Sequence, residues 1–198
     1  MKRVAVFCGA NAGTHGVYSN EAFLLGRTLA IEKIGLVYGG ADVGLMGAVA
    51  RGALSEGGEV IGVLPRFLKR VEIKHDGLTE LIYVDTMHER KTIMDRISDG
   101  AIALPGGYGT LEEFFEMLTW SQLGLHQKPM ALFNIDGFFD SLKSFIVEMV
   151  DKGFLREINY SMLLTGETVE EVIMKMKSYE APEVEKLIKK KPVGGNNE

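Results

Sequence analysis

Seven short apolar runs, separated by longer segments whose hydrophobic residues recur with helical period, constrain this chain more than any single residue does. The runs lie at 3–8, 36–38, 59–64, 80–84, 100–104 and 130–134, with 161–165 as the seventh. The segments at 20–33, 45–56, 87–98, 111–123, 138–152 and 169–178 have the length and spacing of amphipathic helices. Strands that alternate with helices in this way belong to a parallel sheet whose helices cover its faces. The pattern therefore predicts an α/β fold, a Rossmann-like doubly wound, mainly parallel sheet of about seven strands. Ligands of such sheets bind beyond the carboxyl ends of the strands. The loops after Cys8, Tyr38, Leu64, Val84 and Leu104 form the expected rim.

With 198 residues, 46% of them hydrophobic and 25% charged, the chain suits one globular domain over residues 1–179. The stretch 180–198 carries Lys189, Lys190, Lys191 and a Gly/Asn-rich end without apolar period, and is expected to be a flexible tail. A net charge of −5 argues against nucleic-acid or anionic-membrane partners, which rely on basic surface. No run approaches the ~20 apolar residues of a membrane span, and the first strand is too short for a signal segment. A single cysteine, Cys8, excludes an intrachain disulfide and fits a cytoplasmic location. Its place inside the first apolar run makes it a small core residue rather than a nucleophile.

Three rim loops are rich in glycine: residues 9–16, residues 39–47, and residues 105–109 within PGGYGTLEE. One such loop is a tight turn. Three at one sheet edge imply that backbone closely approaches something there, although Gly44 and Gly47 equally suit helix-to-sheet packing. The third loop runs from a strand into a helix through Gly106, Gly107 and Gly109, which leaves outward-facing amides at a positive dipole end suited to phosphate. Thr110 is the expected N-cap. Glu113 then has two readings: the third helical position beside a bound ligand, or the return partner of a capping box begun by Thr110. The dinucleotide fingerprint G-x-G-x-x-G is not met, which disfavours an NAD-dependent oxidoreductase.

In the helix at 87–98, Met87, Met94 and Ile97 define the buried stripe, and Arg90 falls within it. A buried guanidinium costs several kcal/mol unless paired, so Arg90 must meet a carboxylate or an anion. Lys91 is the next position round, expected to be half exposed. In the charged loop 65–79, Glu72 between Val71 and Ile73 either faces inward or is a solvated acid. The four histidines show no metal-ligand spacing, and neither a metal nor another cofactor is expected.

Together, Met87-His-Glu-Arg90-Lys91 and the PGGYGTLEE stretch resemble the paired signature of the LONELY GUY family, cytokinin riboside 5′-monophosphate phosphoribohydrolases often labelled lysine decarboxylases. The glycine loops at 7–13 and 38–47 are also similar, and the likeness covers about residues 2 to 178. The resemblance implies that Arg90 and Glu113 are the catalytic pair. It places substrate contacts on Glu72, Lys91, Gly107, Tyr108, Gly109, Thr110, Leu111, Glu112 and Thr119. It further implies a nucleoside 5′-monophosphate substrate and a homodimer. Ala10-Asn11-Ala12 stand where many relatives carry serines. A decarboxylase using pyridoxal phosphate would need a Schiff-base lysine, and none is placed for it. The competing reading is a nonenzymatic nucleotide or molybdenum-cofactor carrier of the same architecture, since fold does not fix function.

Overall fold

The computed structural model describes residues 1–70, 75 and 77–183. The expected position of Glu72 and nearly all of the expected tail lie outside the described residues. Seven strands, β1 (Arg3–Phe7), β2 (Gly35–Tyr38), β3 (Val60–Pro65), β4 (Glu80–Val84), β5 (Ala101–Ala103), β6 (Met130–Phe133) and β7 (Leu163–Gly166), form one sheet. Its spatial order is β4-β3-β2-β1-β5-β6-β7, and every neighbouring pair is parallel. Helices α1 (Gly16–Ile31), α2 (Gly44–Ser55), α3 (Met87–Ile97), α4 (Tyr108–Gln122), α5 (Asp140–Asp151), α6 (Glu157–Tyr160) and α7 (Val169–Lys177) connect and follow the strands. Short 3-10 turns occur at Arg66–Arg70 and Ile135–Gly137.

Alternation along each strand splits the core into two layers. Val4, Val6, Cys8, Leu36 and Tyr38 join Leu25, Leu29, Val49 and Val172 beneath α1, α2 and α7. Ala5, Phe7 and Val37 point the other way, to Met94, Phe114, Met117 and Phe139 around α3, α4 and the start of α5. Both faces are covered, which is why the strands read as unbroken apolar runs.

Helix α3 begins where its sequence signals. The Thr86 hydroxyl accepts from the Glu89 amide at 3.1 Å, and Glu89 accepts from the Asp85 amide at 2.9 Å. Helices α1 and α2 touch backbone to backbone. A Cβ on Gly26 would overlap the Val49 carbonyl, and one on Gly52 would overlap that of Phe23. Helix α1 starts four residues before its expected position, at Gly16 instead of residue 20, because its N-cap His15 makes no side-chain bond and leaves no sequence signal.

Candidate active site

Strand order reverses between β1 and β5, and a crevice opens there because the loops after these two strands lead to opposite faces of the sheet. The loops nevertheless touch at its floor. Gly9 donates its amide to the Pro105 carbonyl at 3.0 Å, and Leu45 donates to the Gly9 carbonyl at 3.1 Å. A Cβ on Gly106 would lie 2.9 Å from the Gly9 nitrogen, while one on Gly44 would overlap Ala10. Part of the glycine content thus lets the three loops approach one another. Gly44 sits at φ +52°, a left-handed conformation that a side chain would strain.

Gly107 and Gly109 are different. A Cβ at either would meet no protein atom within 4 Å, so packing does not require glycine there. Both border a cavity of about 510 Å³, a size usual for small-molecule sites, roughly 300–1,000 Å³. Gly107, not Thr110, is the N-cap of α4. The helix starts at Tyr108, and its first amides, from Gly107 to Thr110, have no intrahelical acceptor by construction. Thr110 is buried, with its hydroxyl against Gly106. Counting Tyr108 as first, Glu113 occupies the sixth helical position, too deep for the capping box. That reading is excluded by the earlier helix start.

Glu113 instead faces α3. Its Oε1 lies 3.3 Å from Arg90 Nη2, and both residues are only 7% exposed while lining the cavity. Gly39 makes room for the guanidinium, since a Cβ there would stand 2.7 Å from Nη2. Arg90 Nε is buried without an acceptor among the described residues, an arrangement that costs about 1–3 kcal/mol until a partner arrives. Arg90 therefore meets a carboxylate and borders an open space at once. Cys8 also lines this space. Burial and the nearby Glu113 push its thiol far up, partly offset by Arg90, so it is a protonated thiol and a poor nucleophile.

The remaining expected site residues are spread more widely. Tyr108 is 96% exposed and is not among the residues lining the cavity, Glu112 is exposed, and Leu111 packs partly against the core. Lys91 is buried rather than half exposed, and its ammonium pairs with Glu112 and, at 2.8 Å, with Glu116. It does not line the cavity. Thr119 lies on α4 beside a separate cavity of about 150 Å³ formed with α5 and α6. Among the described residues no lysine lines the cavity that Arg90 and Glu113 border. Tyr18, Leu45, Met46, Leu68, Met87 and Phe138 supply its apolar wall. Tyr18 and Phe138 meet edge to face at 6.1 Å between ring centroids. Phe138 follows β6, whose carboxyl-end loop the rim rule also covers, so that signal was available for it.

A family model described as "possible lysine decarboxylase" matches residues 46–176. A cytokinin riboside 5′-monophosphate phosphoribohydrolase of Arabidopsis thaliana is 44% identical over 179 residues, covering 90% of this chain and 78% of its own length. Another, from Oryza sativa subsp. japonica, is 44% identical over 185 residues, 93% of this chain and 76% of its own. Among solved structures, a molybdenum cofactor binding protein from Rippkaea orientalis aligns with TM-score 0.68 at 25% identity, covering 89% of this chain and 95% of that one. The molybdenum cofactor carrier protein of Chlamydomonas reinhardtii aligns at 0.69 and 23%, covering 88% and 95%, a likeness of fold alone.

Proposed function

The chain belongs to the LONELY GUY family of cytokinin riboside 5′-monophosphate phosphoribohydrolases, and from that premise we propose how its crevice carries out the reaction. The enzyme hydrolyses the N-glycosidic bond of a nucleoside 5′-monophosphate, a cytokinin riboside 5′-monophosphate or AMP, to free base and ribose 5-phosphate. The observation that carries the assignment of residues is the buried Arg90–Glu113 pair at 3.3 Å beside the open amino end of α4.

The substrate phosphate rests on the amides of Gly107, Tyr108, Gly109 and Thr110, where unpaired N–H groups and the helix dipole favour an anion. Leaving of the base develops positive charge on the ribosyl ring. The Glu113 carboxylate stands beside the anomeric carbon, stabilises that charge and receives a proton from the attacking water. The C1′–N bond breaks with its electron pair leaving on the base, the water oxygen becomes the C1′ hydroxyl, and the proton taken by Glu113 passes to the departing base, which restores the carboxylate. Arg90 keeps Glu113 oriented through their contact at 3.3 Å.

Thr119 lies away from this cavity, and a substrate contact by Thr119 would reach the crevice of a second copy. That placement, together with the apolar residues exposed near α4 to α6, supports a homodimer, which sedimentation tests: a monomer at all concentrations would refute it. From the resemblance, Glu72, Lys91, Leu111 and Glu112 are proposed to supply the remaining substrate contacts. The setting is cytoplasmic, in keeping with one buried cysteine, and no helix among the described residues is long and apolar enough to cross a membrane.

Incubation with AMP and with a prenylated-adenine nucleotide, followed by chromatography of the released base, tests the reaction. Arg90→Ala and Glu113→Ala should each lower kcat/KM by about a hundredfold or more. Nearly full activity in either variant would overturn the assignment. A carrier would bind nucleotide and release no base.

A further inference from the structure

The cavity has two ends, and strand order fixes what stands at each. Arg90 lies against Gly39, just after β2, whereas Phe138 follows the turn after β6, on the far side of β5. The amino end of α4, which follows β5, lies between them. A nucleotide with its anomeric carbon at Glu113 and its phosphate on that amino end therefore turns the outer side of the phosphate toward Phe138 and Tyr18.

Both rings are held in place. Asn134, 2% exposed, accepts the Phe139 amide on Oδ1 at 2.7 Å and donates from Nδ2 to Asp140 at 2.8 Å. These bonds span a turn in which Asp136 and Gly137 both take left-handed backbone, at φ +52° and +69°. Phe138 packs edge to face on Phe139 at 5.0 Å and on Tyr18 at 6.1 Å between ring centroids. Tyr18 comes from α1 and packs on Gly13, where a Cβ would stand 2.8 Å from its ring.

Charge points in the same direction. Arg90 is the one cationic side chain among the described residues that line the cavity, and Glu113 already engages it. A single phosphate is met by the amides of the turn. A second would bring more negative charge against two rings that offer it one neutral hydroxyl and no cation, so its lost hydration would go unreplaced.

We propose that Tyr18 and Phe138 are specificity-determining residues, which end the phosphate subsite after one phosphoryl group and so exclude nucleoside di- and triphosphates. The inference rests on the phosphate seat and the Arg90–Glu113 assignment proposed above.

The test measures adenine release from AMP and from ADP, whose other products are ribose 5-phosphate and ribose 5-diphosphate, by the wild type and by Phe138→Ala, Phe138→Arg, Tyr18→Ala and Tyr18→Phe. The readout is the ratio of kcat/KM for ADP to that for AMP. The wild type should favour AMP by about a hundredfold or more. Phe138→Ala and Tyr18→Ala should each raise the ratio about tenfold, and Phe138→Arg, which supplies a charge partner, should raise it further. Tyr18→Phe keeps the ring and should leave the ratio within about twofold. A role limited to stability would lower both activities together and leave every ratio unchanged. An unchanged ratio in Phe138→Ala and Phe138→Arg, or a wild type that cleaves ADP as readily as AMP, would overturn the proposal. Should Tyr18→Ala fail to fold, the Phe138 variants carry the test, because that side chain is 44% exposed. If the wild type released no adenine from AMP, the function beneath the inference would fail instead.

Discussion

Gly109→Ala separates what the glycines of the turn do for the fold from what they do for the ligand. Gly109 is the second residue of α4, its backbone is helical, and an added Cβ would meet no protein atom within 4 Å. Alanine in a helix is favoured over glycine by roughly 0.5–1 kcal/mol, and the added methyl displaces nothing. The variant should thus melt about 1–4 °C higher than the wild type, from the usual scaling for a domain of this size. The same methyl occupies the space in front of amides assigned to the phosphate. A loss of about 1.4 kcal/mol there raises KM for AMP about tenfold. Gly106→Ala is the contrast. Its Cβ would overlap the Thr110 hydroxyl and press on the Gly9 nitrogen at 2.9 Å, so it should lose about 1–3 kcal/mol of stability. Differential scanning fluorimetry and steady-state adenine release measure both quantities. If Gly109→Ala kept wild-type KM and kcat, the phosphate would not lie on this turn.

Two other expectations concern stability. His126 accepts the Lys128 amide on Nδ1 at 3.2 Å and donates from Nε2 to the Met117 carbonyl at 3.0 Å, bonds that a neutral ring satisfies and an imidazolium cannot. Burial lowers its pKa, with Asp95 opposing and Lys128 adding, so the unfolded chain binds the proton more readily. Stability should then be full above pH ~6.5 and fall as the pH drops below it. His126→Gln should flatten the fall in melting temperature between about pH 7 and 5.5, and an unchanged slope would refute the assignment. Gly26→Ala, whose Cβ would overlap the Val49 carbonyl, should destabilise by about 3 kcal/mol or more by pushing α1 from α2, and a wild-type melting temperature would contradict that packing.

Much of the site can be read in the chain because a charged residue at an apolar position carries information. Arg90 in the stripe of Met87, Met94 and Ile97 had to be buried and paired, and it is. Helix α3 was legible nearly to the residue because Thr86 and Glu89 cap it with side chains. Helix α4 was read as starting too late, because its N-cap is a glycine with no side chain to signal it. The Thr110–Glu113 spacing matched a capping box that the earlier start rules out. The burial of Lys91 was also missed, since Glu112 and Glu116 lie on another helix and periodicity reports only the face of its own.

Periodicity and turn chemistry act between neighbours along the chain, so the sequence by itself determined the strands and helices, the layered α/β class and the glycine-rich entry of the PGGYGT turn into a helix. Which carboxylate meets Arg90, which glycines yield to other loops and which face open space, and which side chains wall the cavity are matters of distance between segments far apart in sequence. Those distances arise only when β1 and β5 pair and bring three loops together at the point where strand order reverses. Tertiary packing alone decided them, because a buried charge or an absent Cβ acquires its meaning from whatever the fold places against it.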